Sequence, residues 1–185
     1  MKKVFFSLLA LVATFSLSAQ GKFFSKDANV AFDANSPLEK IEGKTNKGTL
    51  VIDAATGKVE SAVLIKGFHF KSALMEEHFN ENYMESGKFP KSTFAGDITN
   101  FSSVNLKKDG TYPIQIKGNL TMHGVTKPVE AKGSLVVKGG AITNGSAAFK
   151  VLMADYGIAI PAAVKDKIAK EAKIDISAAL QKLVK

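Results

Sequence analysis

The sequence predicts an all-β domain: about eight to ten antiparallel strands, interrupted by one helical excursion, that stack as a sandwich or close as a barrel. The first observation behind this is strict alternation in Tyr112–Val137. Tyr112, Ile114, Ile116, Gly118, Leu120 and Met122 share one parity, with Gln115, Lys117, Asn119 and Thr121 on the other. Val129, Ala131, Gly133, Leu135 and Val137 repeat the pattern, with Val136 as its one break. A period of two over such a length is a strand with one apolar and one wetted face. The second observation is that turn signals recur along the whole 185-residue chain at meander spacing. The third is a single change of period, over Lys71–Ser86.

Met1 to about Ala19 carries two lysines, an apolar run from Val4 to about Phe15, and then small residues. This is the pattern of a secretory signal peptide, and the run is too short for the ~20 apolar residues of a membrane-crossing helix. The expected organisation is residues 1–19 as signal and 20–185 as one domain, periplasmic or secreted, with no transmembrane segment.

Phe23–Phe32 reads as a first, interrupted strand, and Ser36-Pro37 as a turn. Ile41–Lys47 and Gly48–Asp53 follow as two short strands, and Val59–Phe70 as a third. In Lys71–Ser86 the spacing of Met75, Phe79 and Tyr83 by four predicts a helix of about four turns, ended by Gly87. Phe94, Gly96 and Ile98 share a face of the next strand, and Asp109-Gly110 marks a hairpin turn. The Tyr112–Val137 hairpin turns through His123–Pro128, with Pro128 opening its second strand. Ala141–Met153 alternates again, Ala162 to about Lys170 suggests a short helix, and Ala172–Leu180 is the last strand.

The chain has no cysteine, which excludes disulfides, a thiol nucleophile, iron–sulfur ligation and a lipid anchor on an N-terminal cysteine. Its formal charge of +8 comes entirely from lysine and falls by two once Lys2 and Lys3 are removed. Without arginine, bidentate reading of phosphates and bases is weakly served, so no nucleic-acid partner is expected. Scattered lysines give a solvated surface and, at most, weak contact with an anionic membrane surface.

His69, His78 and His123 lack the spacing that places two metal ligands on one face, and no metal is expected. No serine sits in a nucleophile elbow, and no phosphate-binding loop or dinucleotide fingerprint is present. Glu76, Glu77, Glu81 and Glu85 read as the wet side of the helix. What remains is apolar surface rich in Met and Phe, which adapts to flexible apolar partners. Small residues at inward positions (Gly96, Gly118, Ala131, Gly133, Ala147) would leave a lumen open, or would ease curvature around a packed core; the residues alone do not decide.

Leu120-Thr121-Met122-His123-Gly124-Val125-Thr126-Lys127-Pro128-Val129 resembles the signature hairpin of the YceI-like, lipocalin-like polyisoprenoid-binding proteins. The resemblance extends to Asn29-Val30-Ala31-Phe32, to His78-Phe79 with Tyr83-Met84 and Phe89-Pro90-Lys91-Ser92-Thr93-Phe94, to Ala154-Asp155-Tyr156-Gly157-Ile158, and to Lys173-Ile174-Asp175-Ile176. No arginine precedes the Asp155 motif, and glutamates precede His78, which departs from the family pattern at the head-group end. The resemblance implies an extended antiparallel barrel of about eight strands with the helix near its mouth, and an apolar tunnel for a polyisoprenoid or similar amphiphile. It carries over no catalytic residue.

The expected function is therefore non-enzymatic binding of a polyisoprenoid or fatty lipid. No cofactor is called for beyond such a lipid or an isoprenoid quinone, and homodimer formation stays open. The expected tunnel wall is Phe68, Phe70, Leu74, Met75, Phe79, Phe94, Ile98, Ile114, Ile116, Leu120, Phe149 and Val151. His78, Tyr83 and His123 are the head-group candidates. Two alternatives compete: an enzyme acting on a bound lipid with His123 or His78 as general base, and a packed β-domain serving as an interaction module.

Overall fold

The computed structural model describes residues 21–183; the expected signal segment, residues 1–19, lies outside them. Among the described residues ten strands form one antiparallel sheet. They are β1 (Lys22–Asp33), β2 (Glu42–Asp53), β3 (Lys58–Leu64), β4 (His69–Phe70), β5 (Lys91–Ile98), β6 (Gly110–Met122), β7 (Val125–Lys138), β8 (Ala141–Leu152), β9 (Glu171–Ala179) and β10 (Gln181–Lys182). Because β1 pairs with β9 on one side and β2 on the other, the sheet closes into an eight-stranded barrel. The two-residue β4 and β10 only extend β2 and β1. Closure leaves no strand of the barrel without a neighbour on both sides, which helps a chain without disulfides to stand on its core alone.

The barrel has two unlike ends. At one, short turns link β2 to β3 and β7 to β8, and the β5–β6 connection folds over them. Ala54, Val104, Val137 and Ile142 are buried there, with Phe101 and Leu106 packed against them, so this end is sealed. At the other end lie the long connections: β1 to β2, β3 through the helical excursion to β5, and β8 to β9. We call it the helical end.

The long hairpin is β6–β7, in register from Gly110↔Val137 to Met122↔Val125. Its turn is shorter than the sequence suggests. His123 (φ 51°) and Gly124 (φ 75°) alone make the reversal, two left-handed residues as a type I′ turn requires. Pro128 consequently lies inside β7, opposite Asn119, where its missing N–H is harmless because pairing of β7 with β8 begins only at Lys132. Asp109-Gly110 is not itself a hairpin turn; the Asp109 carboxylate instead accepts the Gly139 N–H at 2.8 Å, joining two loops at the sealed end.

Other expectations change as well. The two short strands over Ile41–Asp53 are one strand, because Gly48 continues it past the β1 irregularity at Ala28, where a Cβ would meet the Ala28 carbonyl oxygen at 2.7 Å. The strand expected over Val59–Phe70 breaks at Leu64 into a 3-10 turn, Ile65–Gly67, whose buried Ile65 plugs into the core. The four-turn helix is α1 (Ala73–His78) followed by a single π turn, Phe79–Tyr83. It ends at Glu85, which holds left-handed backbone (φ 42°), rather than at Gly87. The helix expected over Ala162–Lys170 is only a 3-10 turn, Ala162–Val164.

Candidate ligand-binding cavity

Apart from the irregularities at Ala28 in β1 and at Val136 in β7, inward positions of the barrel wall alternate with outward ones, so the interior is built by period two. It is not filled. A cavity of about 300 Å³ runs from the helical end down towards Ile52, Val59, Ile98, Ile114 and Leu135 above the sealed end. The packed barrel that would favour an interaction module is therefore not what this chain forms.

The strand residues expected on the wall, Phe94, Ile98, Ile114, Ile116, Leu120, Phe149 and Val151, all line this cavity. So do Phe68, Phe70, Met75 and Phe79 from the β3–β5 connection. Leu74 does not: it is 59 % exposed, on the outer side of α1. Among wall residues that alternation alone did not single out, Phe32 is the most consequential. Its ring packs on Phe79 at 5.4 Å and on Phe70 at 5.7 Å, and Phe79 also meets Phe68 (5.5 Å) and Phe70 (4.9 Å). This four-ring cluster holds the first residue of the π turn against the barrel mouth.

The small residues act in two ways. Ala131, Ala147 and Gly145 line the cavity and give it room. Gly96 and Gly118, paired across β5 and β6, make way for a ring instead. A Cβ on either would stand 2.7 Å and 2.5 Å from the tip of Phe94, which lies across them. Gly133 serves close strand approach, since a Cβ there would collide with the Ser146 carbonyl.

Polar groups are sparse. Glu39 and Lys167, from the β1–β2 and β8–β9 connections, line the helical end and form a loose 3.8 Å ion pair beside solvent, marking the mouth. His78 and Tyr83 line the same end, and burial raises the Tyr83 phenol above its ordinary pKa, so it stays neutral. Deeper in, the hydroxyl of Ser92 is buried with no hydrogen-bond partner among the described residues. An unpaired buried hydroxyl costs about 1–3 kcal/mol.

His123 is not in the cavity wall, which removes it from the head-group candidates. Its Nδ1 donates to the Tyr156 carbonyl at 2.9 Å, its Nε2 lies 2.7 Å from Glu85 Oε2, and the Phe89 ring packs edge-on at 4.8 Å. With both ring nitrogens engaged, it cannot take a proton from a ligand in the barrel. Glu76 likewise is not merely a solvated carboxylate, for its Oε2 accepts the Phe70 N–H at 3.2 Å and lies 3.4 Å from His69. No group of three or more metal-ligating side chains occurs among the described residues.

Three of the stretches of family resemblance thus meet in space around His123: the hairpin turn, the His78–Phe94 block through Glu85 and Phe89, and the Tyr156 motif. The profile of the YceI-like domain matches residues 11–180. The chain belongs to the YceI-like family. A YceI-like relative, a UPF0312 protein of Shewanella oneidensis, is 30% identical over 178 residues, covering 86% of this chain and 90% of that one. A UPF0312 protein of Enterobacter sp. is 29% identical over 144 residues, 75% of this chain but only 62% of its own length. Among solved structures, the YceI-like barrel superposes on a polyisoprenoid binding domain from Saccharophagus degradans with a TM-score of 0.71 at 10% identity, covering 89% of this chain and 99% of that one. At that identity the likeness shows the fold.

Proposed function

We propose that this YceI-like protein is a non-enzymatic carrier that holds one long-chain amphiphilic lipid, polyisoprenoid or similar, inside its barrel. The observation that carries the reading is a cavity walled almost wholly by aliphatic and aromatic side chains in a closed barrel, open at one end only. Burial of the tail supplies the affinity, at ~0.8 kcal/mol per methylene. The polar residues near the mouth, His78, Tyr83, Glu39 and Lys167, face the end where a head group emerges. The shared fold with a domain described as polyisoprenoid binding supports the same assignment.

Residues 1–19 are proposed as a removed export signal and the remainder as the binding domain, working in the periplasm or outside the cell. Loading then involves brief contact with a membrane surface. Leu38, Leu64, Leu74 and Leu152 are exposed around the helical end. The charges beside them come in both signs, Lys66, Lys71 and Lys88 near Glu76, Glu77 and Glu81, so that contact is apolar in character.

The test is a lipid extract of protein purified without detergent, read by mass spectrometry. A stoichiometric chain lipid is expected. Protein that comes out empty and takes up no isoprenoid alcohol, quinone or fatty chain when offered them overturns the reading.

A further inference from the structure

Three side chains among the described residues bury a polar atom with no partner: Asn80, Tyr156 and Ser92. Of these only Ser92 lines the cavity. It is 7 % exposed, the second residue of β5, and shares its inward face with Phe94 and Ile98, so its side chain belongs to the lumen wall just inside the rim at the helical end; the hydroxyl itself is closed off there, and a turn about the Cα–Cβ bond brings it to a ligand. Two other buried hydroxyls are satisfied locally: Ser25 donates to Asp27, and Thr45 accepts the Lys47 N–H. A second hydroxyl stands beside Ser92. Ser61 on β3 also lines the cavity, and the register (Ser92 opposite Val63, Ser61 opposite Phe94) makes the two serines diagonal neighbours, roughly 7–8 Å apart at Cα on one face of the wall.

We propose that Ser92, seconded by Ser61, is a polar anchor inside the tunnel that hydrogen-bonds an uncharged oxygen of the ligand, a carbonyl in the first instance. This rests on the lipid-binding reading and sharpens it: the ligand carries a neutral oxygen one residue below the rim, with its tail directed towards the sealed end. A charged group does not fit that place. The wall around it offers two neutral hydroxyls and no cation, and an ion taken out of water there would be uncompensated. The Glu39–Lys167 pair is at the mouth, outside this position. The hydroxyl has no partner among the described residues, so a chain that brings an oxygen to it makes a hydrogen bond that bare hydrocarbon cannot, which gives selectivity for chains bearing the oxygen.

The experiment compares a long-chain methyl ketone with the alkane of equal length, each displacing a fluorescent fatty probe from the full mature protein. Wild type should prefer the ketone. Ser92→Ala should weaken the ketone about 3–10-fold, leave the alkane as tight or tighter, and keep the melting temperature at or above wild type, since it removes an unpaired polar group. The infrared carbonyl band of the bound ketone should sit at lower frequency in wild type than in Ser92→Ala. Ser92→Cys, which keeps the size with a weaker donor, should fall between. Equal ketone affinity in wild type and Ser92→Ala, or an unshifted carbonyl band in wild type, overturns the anchor while leaving lipid binding intact. If wild type binds neither chain, the lipid reading itself fails and the anchor with it.

Discussion

His123 and Glu85 lie 38 positions apart in the chain, yet Nε2 of one is 2.7 Å from Oε2 of the other, and both residues hold left-handed backbone. Each such conformation costs on the order of 1 kcal/mol for a non-glycine residue and persists only where the surroundings hold it. Here two strained positions hold one another. The bond ties the end of the helical excursion to the β6–β7 turn, and the Nδ1 bond to the Tyr156 carbonyl brings in the β8–β9 connection.

His123→Asn tests this fastening. Asparagine tolerates the left-handed turn position but cannot span both partners. The expected loss is about 1–3 kcal/mol in denaturant unfolding. Hydrogen exchange should quicken at the amides of Met84, Ser86, Gly157 and Ile158, which bond within the two fastened segments. Unchanged exchange there would show that the contacts are incidental.

Gly118→Ala should destabilise by about 1–3 kcal/mol through overpacking. The new methyl meets the Phe94 ring and the Ala95 carbonyl, and the second of these cannot rotate away. Thermal melting of the variant beside Ala131→Gly, at a lining position with space in front of it, separates a steric cost from a general sheet effect.

Phe79→Ala removes the ring that touches Phe32, Phe68 and Phe70 together. Because Phe79 is only partly buried, the expected cost lies at the lower end of the range for such truncations, about 3 kcal/mol. Release of a bound fluorescent lipid, followed by stopped flow, should accelerate by more than the loss of stability alone would explain.

Chain length gives a fourth test. The step of six residues from Ser92 to Ile98, at ~3.3 Å per residue and a strand tilt of ~40°, spans about 15 Å of barrel axis. Affinity should rise about fourfold per added methylene until the tail fills that depth, then level off. A continued rise at longer lengths would mean that the sealed end opens.

Alkaline titration gives the fifth. Burial raises the phenols of Tyr83 and Tyr156, the latter also through the neighbouring Asp155 carboxylate, above the ordinary value of 10.0. Their native state holds the proton more tightly than the unfolded chain does. The associated stability is complete below pH ~10 and is lost as the pH rises through the native values. Ultraviolet titration should show Tyr83 and Tyr156 ionising late, in step with unfolding at high pH.

What could be read in the sequence was whatever a short period encodes. The Tyr112–Val137 alternation gave a hairpin in the right place, and the recurrent turns gave an antiparallel sandwich or barrel, between which the family resemblance decided for the barrel. The excursion over Lys71–Ser86 was recognised but oversized, because the spacing of Met75, Phe79 and Tyr83 does not reveal a switch from α to π winding at Phe79. Gly96 and Gly118 read equally well as an open lumen and as space for a neighbour; only the position of the Phe94 ring separates the two. The place of His123 was hidden for another reason. Its partners come from residues 85 and 156, and no local pattern links them. Ser92 was hidden because a serine in an alternating strand looks the same whether its hydroxyl meets water or a cavity.

The ring of strands is a continuous ladder of backbone bonds, whereas the helical end is gathered by four aromatic rings and one histidine. Opening that end breaks none of the ladder. Loading and unloading are therefore sub-global events with their own free energy, below that of unfolding the barrel. The residence time of a guest and the heat resistance of its container become separately adjustable, one set by the fastenings and the other by the wall.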